Sequence, residues 1–303
     1  MMQWIGRPVG DRGANNKGDV LIVQNILNDN LSLLTRIGGN PGSFRILEVN
    51  GLADNKTITR IKDFQSRLLG MQNPNGRIDP DSRDLSILQA GVNVTLTLHK
   101  LYAIMQSATL PRVKKYYRSL INHMRFSGID TPLRVAHFLA QIGHESADLL
   151  HSQELSRGDA YEGRLDLGNT QKGDGRRFKG RGLIQITGRA NYEAFGKARG
   201  RDFTTEPNNE MIANIPDLAV DSACWFWTEL KHRQHGSFVN LNELADHDDL
   251  HGITRVVNGG SNGILERYQH LSRAKCLLIP SMRLPAFMTA RVDSWSFTKF
   301  SWK

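Results

Sequence analysis

The 303-residue sequence predicts a mainly α-helical protein: a small three-helix N-terminal domain, then a larger, mostly helical domain with a short strand region. Three observations predict it. Apolar residues recur at helical spacing on both sides of residue 92. An N-G-x-x-D-x-x-[TS] pattern occurs twice, 25 residues apart, at 50–57 and 75–82. A single short segment, LIQIT (183–187), alternates as a strand does.

Each copy of the repeat reads as a turn followed by a helix start. Asn-Gly tolerates positive φ, and Asp54 or Thr57, then Asp79 or Ser82, are suited to cap the next helix. After the first copy, Ile58, Ile61, Phe64, Gln65 and Leu68 recur at helical spacing, and Gly70 ends the run. An earlier segment, GDVLIVQNILND, carries Gln24 within an apolar face. Residues 1–92 are thus expected to form the first domain, 93–97 a linker and 98–280 the second domain, with 281–303 as a C-terminal tail whose aromatic and basic residues suit packing on that domain or, as the alternative, contact with an anionic membrane.

Thr131-Pro132 opens a helix well, threonine at the cap and proline at the first helical position. Val135, Phe138, Leu139, Ile142, Ala147, Leu149 and Leu150 give that helix a broad apolar surface, so it is buried. Glu145 lies late in it and Glu154 nine residues on. One straight helix would turn roughly 900° between them and separate their backbones by about 13.5 Å. Burial would disfavour the charged form of a carboxyl at 145, as a general acid requires. Position alone also fits a glutamate at a helix end paired with an arginine. His144-Glu145 begins an HExxH pattern, but Asp148 stands where the second histidine belongs, and neither Cys224 nor Cys276 has a CxxC neighbour, so no metal or other cofactor is expected.

Residues 161–192 carry Gly168, Gly173, Gly175, Gly180 and Gly182, which describe an irregular loop with no phosphate-binding GxxxxGK[ST]. Within it, LIQIT as a strand would place Leu183, Gln185 and Thr187 on one face, an amide beside a hydroxyl.

Net charge is +9, from 39 basic and 30 acidic side chains, and favours anionic partners. Charge is the sole argument for nucleic acid, and no nucleic-acid-binding motif supports it. No run of apolar residues is long enough for a membrane span, and MMQWIGRPVGDRG does not read as a signal peptide.

AHFLAQIGHES, the second glutamate, GRRFKGRGLIQITGRANY and VVNGGSNGILER, in that order, resemble glycoside hydrolase family 19, most closely its bacteriophage endolysin branch, over about residues 96–279. Residues 1–92 resemble small peptidoglycan-binding domains, with KDFQ as the apolar-Gln signature. The resemblance implies a lysozyme-like catalytic domain with a deep cleft and an inverting mechanism. Glu145 would be the general acid, Glu154 the general base, and Thr187 a holder of the attacking water. Gln185, Asn191, Tyr192, Asn258 and Arg267 match sugar-contacting or acid-neighbouring positions. Asp159, Glu162 and Asp166 are rivals for the base, Glu162 the strongest. An inverting pair needs roughly 6.5–9.5 Å between carboxyls, so the helix is expected to stop near Leu150 and turn through His151-Ser152-Gln153.

The expected partner is bacterial peptidoglycan, cleaved by a monomer that stays in a host cytoplasm until released to the wall. A chitinase and a non-catalytic wall-binding protein are the alternatives.

Overall fold

In the computed structural model each Asn-Gly turn of the repeat is clasped by a buried glutamine. The amide nitrogen of Gln24 lies within hydrogen-bond distance of Asn50 Oδ1, the Leu52 carbonyl and Thr57 Oγ1, while its Oε1 accepts from the Asn50 and Gly51 N–H groups. Gln65 does the same for the second copy, reaching Asn75 Oδ1, the Arg77 carbonyl and Asp84 Oδ2 and accepting from the Gly76 N–H. The sequence repeat is therefore a structural one. Its caps differ: Asp54 accepts from the Thr57 N–H in the first copy, and Ser82 from the Leu85 N–H in the second.

The structure describes residues 5–280 except 32–33, 35–44, 68, 92–94, 231 and 235–236, and leaves aside the side chains of 90 and 232–238. The tail 281–303, residues 93–94 of the expected linker and Leu68 lie outside the described residues.

The clasped turns connect α1 (Lys17–Asp29), α2 (Asn55–Arg67) and α3 (Arg83–Ala90), and a two-residue antiparallel pair joins β1 (Val9–Gly10) to β2 (Arg77–Ile78). Then follow α4 (Leu98–Ile104), α5 (Leu110–Phe126) and α6 (Pro132–Glu145). A long irregular segment follows, with single 3-10 turns at Asp159–Tyr161 and Leu165–Leu167 and a short α-helix, α7 (Asp174–Arg177). The chain continues through α8 (Arg189–Arg199), α9 (Asn208–Asn214) and α10 (Pro216–Thr228). A hairpin of β3 (His232–Gln234) and β4 (Ser237–Val239) leads to α11 (Leu241–Asp246), α12 (Leu250–Asn258) and α13 (Ile264–Leu278).

Helix α6 is central. Thr131 caps it by accepting from the Arg134 N–H at 3.2 Å, with Pro132 at its first position. Every residue from Ala136 to Gly143 is buried, which requires cover on all sides, and α11, α12 and α13 supply it. Close approach to α13 depends on Gly143: a Cβ there would lie 2.5 Å from His270 Cδ2.

One apolar core runs from Ile5 to Leu278 and includes side chains of the N-terminal helices and of α4, α6 and α13. Polar bonds cross between these parts. Lys100, 1% exposed, pairs with Asp29 at 2.8 Å; Asn25 reaches the His99 carbonyl; Gln89 reaches Cys276 Sγ. Both cysteines are free and buried, and burial pushes the Cys276 thiol up to about 12. The basic run of α5 is the solvated face of an amphipathic helix, whose Val113, Tyr116, Leu120 and Met124 are buried. Among the described residues no helix is long and apolar enough to cross a membrane.

The LIQIT segment is not a strand. Residues 182–185 form a turn closed by an Arg181–Ile186 bridge, with Gln185 at φ +60°. Its alternation misleads because both sides are buried: Leu183 and Ile184 enter the main core, and Ile186 enters a second cluster with Phe178, Tyr192, Phe195 and Trp225.

Replacing Gln24 by leucine leaves the turn's buried N–H and carbonyl groups without partners. Urea denaturation should show a loss of about 2–4 kcal/mol, against less than about 0.5 kcal/mol for the exposed Ser66→Ala control.

Candidate active site

Glu145 is the last residue of α6. Its Oε1 accepts from Arg267 Nη2, and Arg267 Nη1 in turn donates to Gln141 Oε1. Arg267 is fully buried, so its guanidinium is a fixed fork between the two acceptors. Gln141 lies one turn before Glu145, on the same helix face. The 258–263 turn closes this wall: a Cβ at Gly263 would overlap the His144 ring, and the Asn262 carbonyl faces Arg267 Nε at 3.4 Å. Burial first, and then the Arg267 charge, hold the His144 imidazole below its usual range and favour its neutral form.

The helix stops at Glu145, five residues earlier than the apolar pattern predicts. Ser146 competes with the helix for its own backbone: its Oγ donates to the Ile142 carbonyl at 2.5 Å and accepts from the Leu149 N–H at 2.8 Å. Ala147, Asp148 and Leu149 then take left-handed φ values of +48°, +56° and +65°. Asp148 anchors this turn by accepting from the Ser107 N–H (2.8 Å) and hydroxyl (2.6 Å), and it sits 2.6 Å from His270 Nε2. Burial works to raise the Asp148 carboxyl, but the His270 and Ser107 interactions together hold it below the usual carboxylate range.

Beyond the turn, residues 152–154 are zipped to 180–182. The Glu154 N–H donates to the Gly180 carbonyl (2.9 Å), and the Gly182 N–H to the Ser152 carbonyl (2.8 Å). Glu154 is thereby held on a second wall. Its Oε2 accepts from the Gly180 N–H at 2.9 Å; its Oε1 accepts from the Tyr161 hydroxyl at 3.1 Å and from the Ser156 hydroxyl. Burial and the Glu154 charge push the Tyr161 phenol up, which keeps it a donor. Gly180 lets these groups crowd: a Cβ there would lie 2.9 Å from Gln185 Oε1 and 3.1 Å from Glu154 Oε2. Gln185 Oε1 is buried without a hydrogen-bond partner, while its Nε2 donates to the Gly182 carbonyl. Glu154 lines a depression of about 350 Å³ with Leu150, His151, Ser152, Gln153, Leu155 and Lys179.

The candidate residues of the sequence fall into two hydrogen-bonded groups, joined in the chain by the 146–151 turn. Glu145 and Arg267 belong to the first, and Asn258 is the exposed last residue of α12. Glu154, Gln185, Thr187 and Asn191 belong to the second, where Thr187 Oγ1 donates to the Gln185 carbonyl and Asn191 Nδ2 to that of Thr187. Tyr192, expected to line the cleft, contributes to a depression of about 410 Å³ with Lys197, Arg201 and Phe203. It is fully buried, and its hydroxyl donates to the Lys179 carbonyl and accepts from Arg181 Nη1, so it braces the second wall from behind. Glu162 spends both oxygens on the Gly173 and Gly175 N–H groups, which hold it below its usual range. Asp159 pairs with Arg176, and Asp166 with Arg164. Among the described residues no group of three or more His, Cys, Asp or Glu side chains is placed to hold a metal. Reasoning from the sequence missed Gln141, Ser107, His270 and Tyr161; only Gln141, four residues before Glu145, left a local signal.

Paired acids within a helical domain are the working parts of glycoside hydrolases, and comparison with known proteins puts the chain in that class. The Chitinase class I family model matches residues 132–241, from the start of α6 to the start of α11. A glycosyl hydrolase family 19 domain-containing protein of Haemophilus influenzae is 33% identical over 186 residues, 51% of this chain and 85% of that protein. The chain belongs to glycoside hydrolase family 19. An endochitinase of Arabidopsis thaliana is 34% identical over 135 residues, 45% of this chain and 42% of its own length. The crystal structure of chitinase C from Streptomyces griseus, 18% identical, superposes with a TM-score of 0.50 over 61% of this chain and 93% of that one, and so shares the fold.

Asp148→Asn keeps a side chain that tolerates left-handed backbone while removing the charge. It should lower stability by about 3–5 kcal/mol at pH 7. The native Asp148 carboxyl titrates below its unfolded counterpart, about 3.9. Its contribution is therefore complete above that range and is lost as pH falls through the native value. Thermal melts from pH 7 to pH 3 should show the gap between wild type and variant closing at the acid end.

Proposed function

We propose that the chain is an endolysin that hydrolyses β-1,4 bonds of bacterial peptidoglycan by an inverting mechanism, with Glu145 as general acid and Glu154 as general base. The observation that carries this reading is that each glutamate of this family 19 domain is fixed by its own set of partners, Glu145 by Arg267 and Glu154 by Gly180, Tyr161 and Ser156. They share no hydrogen-bond partner among the described residues, and the turn between them in the chain is itself anchored. An inverting pair needs room between its carboxyls for a water and a sugar linkage.

Arg267 occupies Glu145 Oε1 and leaves Oε2 to carry the proton to the glycosidic oxygen. Glu154 Oε2 has one protein donor, the Gly180 N–H, and so keeps a lone pair for the attacking water. The Thr187 hydroxyl spends its proton on the Gln185 carbonyl and keeps lone pairs that accept from that water. Gln185 Oε1 is a ready acceptor for a water or sugar donor. The water oxygen bonds to the anomeric carbon as its proton passes to Glu154. The C–O bond breaks, and the leaving oxygen takes the proton of Glu145. Solvent resets both acids.

Two features support peptidoglycan as substrate: the net charge of +9, suited to an acidic wall polymer, and the clasped N-terminal repeat, read as a wall-binding domain spanning 1–92. Phage origin, host lysis and cytoplasmic retention until release belong to the same reading. A chitinase is the second reading, favoured by the names of the plant and Streptomyces relatives.

Release of reducing ends from purified peptidoglycan and from chitin, followed in parallel, tests the substrate. The endolysin reading expects turnover of the first; turnover of chitin alone contradicts it. Glu145→Gln and Glu154→Gln should each lower kcat by about 10²–10⁴-fold in folded protein, Glu145→Gln melting lower because it leaves the buried Arg267 without its carboxylate, while Glu162→Gln stays within about threefold. A Glu162→Gln variant as inactive as Glu145→Gln, beside an active Glu154→Gln, would move the base to 162.

A further inference from the structure

Next to the Glu154 depression lies a larger cavity of about 470 Å³ that the proposed chemistry does not use. Five cationic side chains line it, Arg157, Arg176, Arg177, Lys179 and Arg181, against two acids, Glu206 and Glu210. Gln153 and Lys179 line both spaces, so the two are continuous along one wall. An unsubstituted amino-sugar polymer such as chitin offers no charge to meet these cations.

The lining is built rather than merely charged. Arg181 is 4% exposed and fixed by Gln153 Oε1, the Arg177 carbonyl and the Tyr192 hydroxyl. Arg177 Nε is buried without a hydrogen-bond partner; Glu206 Oε1 stands 3.5 Å away. Asn209, 1% exposed, donates to the Arg177 carbonyl but leaves its own Oδ1 buried and unpartnered. Buried polar atoms without partners are rare in native proteins and call for a ligand or water. Here they are a cationic donor and a neutral acceptor. A carboxylate satisfies the first and an amide N–H the second. A phosphate carries no N–H and leaves Asn209 Oδ1 unmet.

We propose that this cavity binds the peptide substituent of the glycan strand, the Arg157–Arg177–Arg181 side taking a peptide carboxylate and Asn209 Oδ1 a peptide N–H. The inference rests on the peptidoglycan reading above and deepens it. The cavity would make the enzyme prefer strands that still carry their peptides, and hold them in register with Glu154 one wall-step away.

The test compares initial rates of the full chain on peptidoglycan, on the same strands stripped of peptides by an amidase, and on chitin. Wild type should show a lower KM on peptide-bearing strands than on stripped ones. In the double variant Arg157→Gln/Arg177→Gln, KM on peptide-bearing strands should rise about tenfold, the loss expected of a charge-assisted contact, with stripped strands affected less than about twofold. Equal loss on both substrates, or no loss on either, overturns the proposal. Wild-type enzyme assayed on peptidoglycan whose peptide carboxyls have been amidated gives a reading independent of any variant: the KM should rise, and an unchanged KM overturns the proposal. Turnover of chitin with none of either strand form instead overturns the peptidoglycan reading itself, a result distinct from loss of the peptide preference alone.

Discussion

Asp148 carries an uncommon backbone. It is the middle of three consecutive left-handed residues, none of them glycine, and such residues cost about 1–2 kcal/mol apiece. Its carboxylate meets the Ser107 N–H, the Ser107 hydroxyl and His270 Nε2. Bonds to a charged group contribute about 1.5–3 kcal/mol each, which offsets the strain. The turn therefore exists because a residue before α5 and a residue of α13 hold it from outside. It carries the chain from Glu145 at the end of α6 to the segment that places Glu154.

The two glutamates are held in different ways, suited to the different tasks proposed for them. Glu145 answers to one fully buried guanidinium that also binds Gln141, so its orientation follows from the packing of α6 on α13. Glu154 answers to hydroxyls and a backbone N–H of the glycine-rich loop. That loop is stiffened from within: Arg189 grips the fully buried Asp174 and lies over the Phe178 ring. An irregular segment without regular hydrogen bonding is thus made firm enough to serve as a wall.

Much of this was legible in the sequence where the cause is local. The threonine-proline start of α6 and the repeated Asn-Gly turns depend on residues close in sequence, and both read correctly. The clasping glutamines appeared only as polar residues within apolar faces, because their partners lie 10 to 33 positions away. The end of α6 was illegible for a stronger reason. Leu149 and Leu150 continue the helical pattern past Ser146, and the residues that hold the left-handed turn after it, Ser107 and His270, lie 41 and 122 positions from Asp148. LIQIT misled because alternation reports a strand only when one face is wet, and this segment divides its apolar residues between two cores. Arg267 was expected beside the acid and does pair with Glu145, whereas the bracing bonds of Tyr192 to Lys179 and Arg181 left no sign in the sequence, since a pattern does not distinguish a side chain that touches a ligand from one that supports a neighbour.

The stereochemistry of the first product tests the account most directly. Proton NMR of newly released reducing ends, recorded before mutarotation, should show the α-anomer from a β-1,4 bond, as direct attack of a water activated by the proposed base Glu154, with the proposed acid Glu145 protonating the leaving oxygen, requires. Initial release of the β-anomer would mean a retaining mechanism and contradict the assignment of these two carboxylates as acid and base.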